Sequence, residues 1–546
     1  MRENSRNWIN RINKNGRWSR SPFGKSVRAI KDSPRQIFNR YLVLCVGVFA
    51  LTGAPKGWDE GSCAAITSLP SFRKTFQVTG TRTTGEISNI ISFVNLAAGF
   101  GAILSLFLND RVGRLWSLRI YMFVYLTGCL VSTFSSGNVG ALYFGRFWAG
   151  LGIGATSVIG TTYIVEVAPK STRGIMTLWF NICMLTSQTI GIFVVYGVSL
   201  HISPTKWLQY QIPFLVQIFV PLIAIVLSAF VQESPRWLCM HGKYDDAFKS
   251  LQAIRKLPRG HTYLEHEFQE IMHQTVSETS EFGKLSLKHQ FVEILTTRSN
   301  LRRLRLSFMS FFFAQWSGAN GITNYLPLIF GLLGVKGTDQ RIYSSGLYAV
   351  TKLVSCIVAS ACFVDIVGRR KSLLTGVSVQ MCCHVYIGTY LALYTRDPAA
   401  VSASASRGAI AAIFIHAIGW SIGLYTLPYL FGSEFYPSRV RSIGTALSEG
   451  FHWWFYFAIT KATPSLLKAM NNWGTFIFWA AWCAVAWVYS FVMVPETSGR
   501  SLESMDQVFD LRWYEIRKYA YVDENSLPQD KQDEDKLDEQ IVNSTK

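Results

Sequence analysis

The chain has 546 residues, 49% of them hydrophobic and 14% aromatic, with only 16% charged and a positive mean hydropathy. That balance describes a polytopic membrane protein and excludes an ordinary soluble one. The net charge of +19 sits in the amino-terminal tail and in short loops, so it does not argue for a nucleic-acid partner.

The first forty residues hold eleven Lys or Arg against two acids. They contain no apolar core of signal-peptide type, so no cleavable leader is expected, and the tail reads as a disordered segment attracted to anionic membrane lipid. Apolar segments of about 20 residues then recur, each long enough for a spanning helix. They are predicted at 41–66, 87–108, 116–134, 141–167, 175–200, 211–231, 304–333, 343–364, 372–394, 409–431, 443–467 and 474–494. The expected fold class is therefore an all-α membrane protein of twelve transmembrane helices. Its expected divisions are a basic tail (1–40), a six-helix half (41–233), a polar linker of short amphipathic helices (234–301), a second six-helix half (302–494) and a tail (495–546).

The first span carries Asp59 and Glu60. An intramembrane acid usually faces a bundle interior, a water-filled cavity or a cation, which makes Asp59 a candidate pathway residue. The competing reading places 56–60 in the loop after a span that ends near Thr52, with Pro55 as the breaker. Basic loops follow spans two, four, eight and ten, at Arg111 and Arg114, Lys170 and Arg173, 369–371, and Arg439 and Arg441. By the positive-inside rule they are expected in the cytoplasm, with both termini. The ten cysteines lie mostly in apolar spans and lack metal-ligand or secreted-scaffold spacing. No P-loop and no nucleophile constellation is present, so neither an ATP-driven pump nor an enzyme is expected, and no cofactor or metal.

An internal repeat organises the loops. Asp110 with Arg111 and Arg114 returns as Asp365 with Arg369 and Arg370; Glu166 with Arg173 returns as Glu434 with Arg441; Glu233 with Arg236 returns more loosely as Glu496 with Arg500. Offsets of 255, 268 and 263 in the same order point to two parallel halves, a transporter architecture with the solute held between them. Topology alone needs Lys and Arg but not the matching acids. The set is therefore read as a cytoplasmic gate network of ion pairs that close when the inner ends of the halves meet.

These residues resemble the sugar porter family of the major facilitator superfamily, most closely its fungal quinate permease and hexose transporter branch. The resemblance rests on GWDEG (57–61), NDRVGR (109–114), GRFWAGLGIG (145–154), ESPRWL (233–238), QWSGANGITNY (315–325), DIVGRR (365–370) and PETSGRSLE (495–503). It implies an alternating-access transporter in the plasma membrane, with Asp59 and Arg146 as a proton-coupling pair. It also implies a substrate site at Gln315, Asn320 and Asn324 of span seven, Gln188, Tyr429, His452 and Trp453. Several positions depart from the family pattern: Ala314 replaces the first glutamine of span seven, Leu185 the glutamine of span five, Tyr429 a tryptophan and His452 an amide. His452 reads equally as a substrate ligand and as a histidine bonded inside the bundle. Lys352, too deep in span eight to snorkel easily, reads as a partner for a substrate carboxylate or for an acid elsewhere in the carboxyl-terminal half.

The expected function is proton symport of a monosaccharide, polyol or related polyhydroxylated solute into the cell. The rivals are a quinate or hydroxy-acid permease, a passive facilitator and a non-transporting nutrient sensor.

Overall fold

A computed structural model describes residues 34–78, 83–169, 171–282, 287–359, 368–398, 401–425, 428, 436 and 440–494. Among the described residues, nine helical stretches are long and apolar enough to cross a membrane. Residues 1–33 of the amino-terminal tail and the whole carboxyl-terminal tail lie outside them, as do Asp365, Tyr429, Glu434, Glu496 and Arg500.

The chain begins with α1 (Arg40–Ala50), which starts where the Asn39 side chain accepts the N–H of Leu42 at 2.9 Å. A single 3-10 turn at Leu51–Gly53 carries α1 into α2 (Ala54–Ser68), so Pro55 sits in a first helical turn, where its missing N–H costs little. The short α3 (Pro70–Thr75) is followed by α4 (Thr83–Val112), α5 (Arg114–Thr133), α6 (Val139–Val167), α7 (Arg173–His201) and α8 (Leu208–Leu227). Four linker helices come next: α9 (Pro235–Met240), α10 (Tyr244–Arg255), α11 (Thr262–Phe282) and α12 (Leu287–Thr296). Arg255 forks onto Glu267 at 2.6 and 2.8 Å to tie α10 to α11, and Asn39 donates to the Ile254 carbonyl at 2.8 Å to tie α10 to the start of α1.

Span seven differs from the uninterrupted helix the sequence suggests. It is built in three pieces: α13 (Arg298–Trp316), α14 (Ala319–Asn324) and α15 (Leu326–Leu332). The first break is at Gly318, whose φ of 83° lies in the left-handed region and whose Cα faces the Trp479 ring, leaving no room for a side chain. The second precedes Pro327. After α16 (Thr338–Val358), α17 (Arg369–Arg396) and α18 (Ala403–Trp420), residues Ser421–Tyr425 extend α18 as a π-helical turn; α19 (Arg441–Ala469) and α20 (Trp473–Met493) complete the bundle.

The stretches that fall short on hydropathy are informative. Arg341 and Lys352 lie on α16, and Glu449, His452 and Lys461 on α19. Polar groups that cannot face lipid make these helices the interior ones. Large apolar side chains such as Leu104, Phe123, Phe144, Phe219 and Val226 remain exposed on the outer surface, as a bilayer-facing shell requires.

The internal repeat is visible in the backbone. Gly113 and Gly368, equivalent by sequence, both take φ 98° immediately before α5 and α17. A side chain at either position would be strained. The amino-terminal helices pack tightly: α2 lies on α7 so closely that a Cβ at Gly57 or Gly61 would strike the backbone of Met184 or Gln188. The amino-terminal and carboxyl-terminal helices meet where α4 packs on α19 and α7 on α16, with α14 against α2.

Candidate functional site

The central feature is α2, which places three charged residues, Lys56, Asp59 and Glu60, inside the bundle. Asp59 is buried within a helix and not in a loop. Its two oxygens accept from both terminal nitrogens of Arg146 on α6, with Nη2 to Oδ2 at 3.1 Å, and Arg146 Nε donates to the Ile90 carbonyl on α4 at 2.9 Å. The guanidinium fork thus joins three helices, using the bidentate geometry that suits Arg and not Lys.

One residue further, Glu60 points about 100° around the helix and meets a different partner. Its carboxylate lies 3.7 Å from Lys352 Nζ on α16, which is fully buried. That ion pair crosses from the amino-terminal to the carboxyl-terminal helices. It corrects the expectation of an acid within the carboxyl-terminal half: the partner is on α2. Lys352 also lies over the rings of Trp420 at 4.6 Å and Tyr425 at 6.0 Å, which the π-helical turn brings together.

One turn before Glu60, Lys56 is also buried, with Nζ 3.2 Å from His452 Nε2 and 4.5 Å above the Trp453 ring. His452 Nδ1 lies 3.1 Å from the Gln315 amide, which lies 2.6 Å from the Asn320 amide. Asn320 Nδ2 donates to Gln315 Oε1, and the Gln315 NH2 in turn donates to His452 Nδ1. Lys56, His452, Gln315 and Asn320 form one polarised chain across both sets of helices.

Glu60, Lys56, His452, Gln315 and Asn320 line a central cavity with Trp420, and it leaves only about 10 Å³ for water centres, room for about one molecule. Neither amide atom of Gln188 has a hydrogen-bond partner among the described residues, and the same is true of Trp420 Nε1. Buried polar groups left in this way are costly unless a bound molecule completes them. Asn324 sits one level away: it donates to the Asn320 carbonyl at 2.8 Å and to the Tyr456 hydroxyl at 2.9 Å. With Tyr325, which donates to the Thr460 carbonyl at 3.0 Å, it also lines a larger vestibule of about 260 Å³ with Thr67, Arg73 and Arg341. Trp453 backs Lys56 and donates to Ser157 Oγ at 3.4 Å.

The charged loop end carries a separate cluster. Arg114 pairs with Glu166 at 2.8 Å and with the half-exposed Asp110 at 2.9 Å. Glu233 accepts the backbone N–H groups of Arg114, Leu115 and Ser234 at 2.9 to 3.1 Å, and burial pushes its carboxyl above the usual range. Arg173 and Arg236 line the same recess as Glu166, joined by Glu267 and Glu270 of α11. Arg111 is exposed on the last turn of α4. In the second copy, Arg370 donates to the Phe491 carbonyl at 2.5 Å, Arg369 opens α17 and Arg441 opens α19. The sequence reading did not assign Lys56, Glu60, Trp420 or Tyr425 to the site. Lys56 and Glu60 carry the same signal as Asp59, a charge inside an apolar span.

A profile described as "Sugar (and other) transporter" matches residues 45–509. The chain belongs to this family. Among its relatives are a probable quinate permease of Aspergillus flavus, 30% identical over 490 residues covering 88% of this chain and 90% of that one, and the quinate permease of Emericella nidulans, 30% identical over 487 residues with the same coverage. Among solved structures, the proton:xylose symporter XylE bound to 6-bromo-6-deoxy-D-glucose superposes with a TM-score of 0.71 at 20% identity, covering 86% of this chain and 99% of that one. An inward-open form of the xylose transporter XylE from E. coli gives 0.68 at 20%, covering 86% and 100%. This sugar transporter family member therefore has the major facilitator fold and is a multi-pass membrane protein, a transporter and not an enzyme.

Proposed function

We propose that the protein is a secondary active transporter that carries a polyhydroxylated solute, a monosaccharide, a polyol or a quinate-like hydroxy acid, inward across the plasma membrane with a proton. The observation that carries this reading is the Asp59–Arg146 pair, sealed in the amino-terminal helices one residue away from the wall of the central cavity. A proton on an Asp59 oxygen removes one charge of a buried pair, loosens the Arg146 fork and frees α2 to move against α4 and α6. Because Glu60 and Lys56 ride on the same helix, that movement is transmitted to the solute site.

The amides of Gln315, Asn320 and Gln188 supply paired donors and acceptors for hydroxyl groups, and Trp420 offers an apolar face for a ring. The Arg114 cluster serves as the cytoplasmic gate, with both termini on that side by the distribution of Lys and Arg. The names of the quinate permeases and of the xylose symporter support a small hydroxylated solute and proton coupling. Uptake of labelled glucose, xylose, myo-inositol and quinate into sealed vesicles, with and without an inward proton gradient, tests it. Accumulation that collapses without the gradient is expected. Equilibration indifferent to the gradient identifies a passive facilitator instead, and binding without flux a sensor.

A further inference from the structure

Resting on that proposed transport function, the charges around the cavity narrow the solute. Lys352 is wholly buried, no atom among the described residues hydrogen-bonds its Nζ, and its one ion-pair partner stands off at 3.7 Å. A tight ammonium–carboxylate contact lies near 2.8 Å. An ammonium has three donors to satisfy, and rings at 4.6 and 6.0 Å supply attraction but no acceptor. Lys56, the second ammonium of the cavity wall, faces Glu60 from one turn earlier on α2 and Glu449 from α19. Glu60 is therefore a single carboxylate set between a lysine of its own helix and one of α16, and it stands 3.7 Å from the latter.

We infer that Lys352 and Lys56 form an anion cradle for the carboxylate of a hydroxy-acid solute, and that Glu60 occupies it as an internal stand-in when the site is empty. A ligand carboxylate supplies two oxygens to an ammonium that Glu60 reaches only at long range, while its hydroxyl groups meet Gln315, Asn320 and Gln188. A neutral sugar leaves the Glu60–Lys352 pair as it is and gains only the amides. Since that pair spans the two sets of helices, exchange of Glu60 for the solute also breaks one of the contacts that hold them together. The same substitution by the ligand that gives selectivity thus loosens the closed form, and release of the solute restores Glu60 to Lys352.

The test compares quinate with its methyl ester, which keeps the ring hydroxyls and loses the charge, by equilibrium binding to the full-length protein in detergent and by competition for uptake in vesicles. The wild type is expected to bind the acid roughly 10- to 100-fold more tightly than the ester, as charge-assisted hydrogen bonds predict. Lys352→Gln is expected to erase the preference, and Glu60→Gln to tighten quinate binding several-fold by removing the competitor while slowing net release. Equal binding of acid and ester by the wild type overturns the cradle without recourse to any variant that fails to fold. Proton-driven accumulation of a neutral polyol that carboxylates do not inhibit also overturns it and leaves the transport function standing. Failure of every solute to cross overturns the transport function itself, whereas acid-over-ester binding supports the cradle even then.

Discussion

Two adjacent carboxylates on α2 have opposite fates. Asp59 is held by a two-pronged guanidinium within the amino-terminal helices, and its partner is fixed by a third contact to a backbone carbonyl. Glu60 reaches across to another part of the molecule, at 3.7 Å, toward a lysine with donors to spare. The first is a closed arrangement, satisfied within the amino-terminal helices. The second is an open arrangement, in which the Lys352 ammonium has no hydrogen-bond acceptor among the described residues. A rotation of about 100° per residue along one helix is enough to separate the two tasks.

Changes to the closed arrangement are expected to be the most damaging. Arg146→Ala strands Asp59 and should destabilise the protein by about 3–5 kcal/mol, visible as a large fall in its melting temperature in detergent. Asp59→Asn keeps the shape and removes the titrating group. Gradient-driven accumulation is expected to vanish while exchange of labelled for unlabelled solute persists, and retained accumulation refutes the assignment of Asp59. In the open arrangement, His452→Gln preserves a polar chain from Lys56 to Asn320 but loses the imidazole that joins Lys56 to Gln315. A rise of roughly tenfold in KM with little change in melting temperature is expected, the loss of about one charge-assisted hydrogen bond. The smallest effect belongs to the rim: Asp110→Asn removes a half-exposed partner of Arg114, and a change below about 1 kcal/mol is expected because Glu166 remains.

The sequence disclosed what one helix can disclose about itself. An acid inside an apolar run marks Asp59, the same logic marks Lys352, and the repeated loop motifs set Gly113 and Gly368, which share one φ, at equivalent positions. It did not disclose which charges meet, because partnership depends on the rotation of one helix against another. The Lys352 partner on α2 is therefore found only in three dimensions. The breaks in span seven are similar: Gly318 is an ordinary glycine in sequence, and only the fold shows its left-handed backbone against the Trp479 ring of the last helix.

At that break the Ser317 carbonyl, released from helical bonding, accepts from His384 Nε2 at 2.8 Å and from the more distant Cys483 thiol at 4.0 Å. The end of α13 is thereby pinned by α17 and α20, and the six residues of α14 pivot from a fixed post. A segment of that length is about 9 Å long, and a tilt of roughly 20° displaces its far end by about 3 Å. Asn320 is near the pivot and Asn324 at the tip, so one short swing of that size would carry Asn324 off Tyr456 by the width of a hydrogen bond while Asn320 stays in place, and under the proposed function that separates release of the tip from release of the solute.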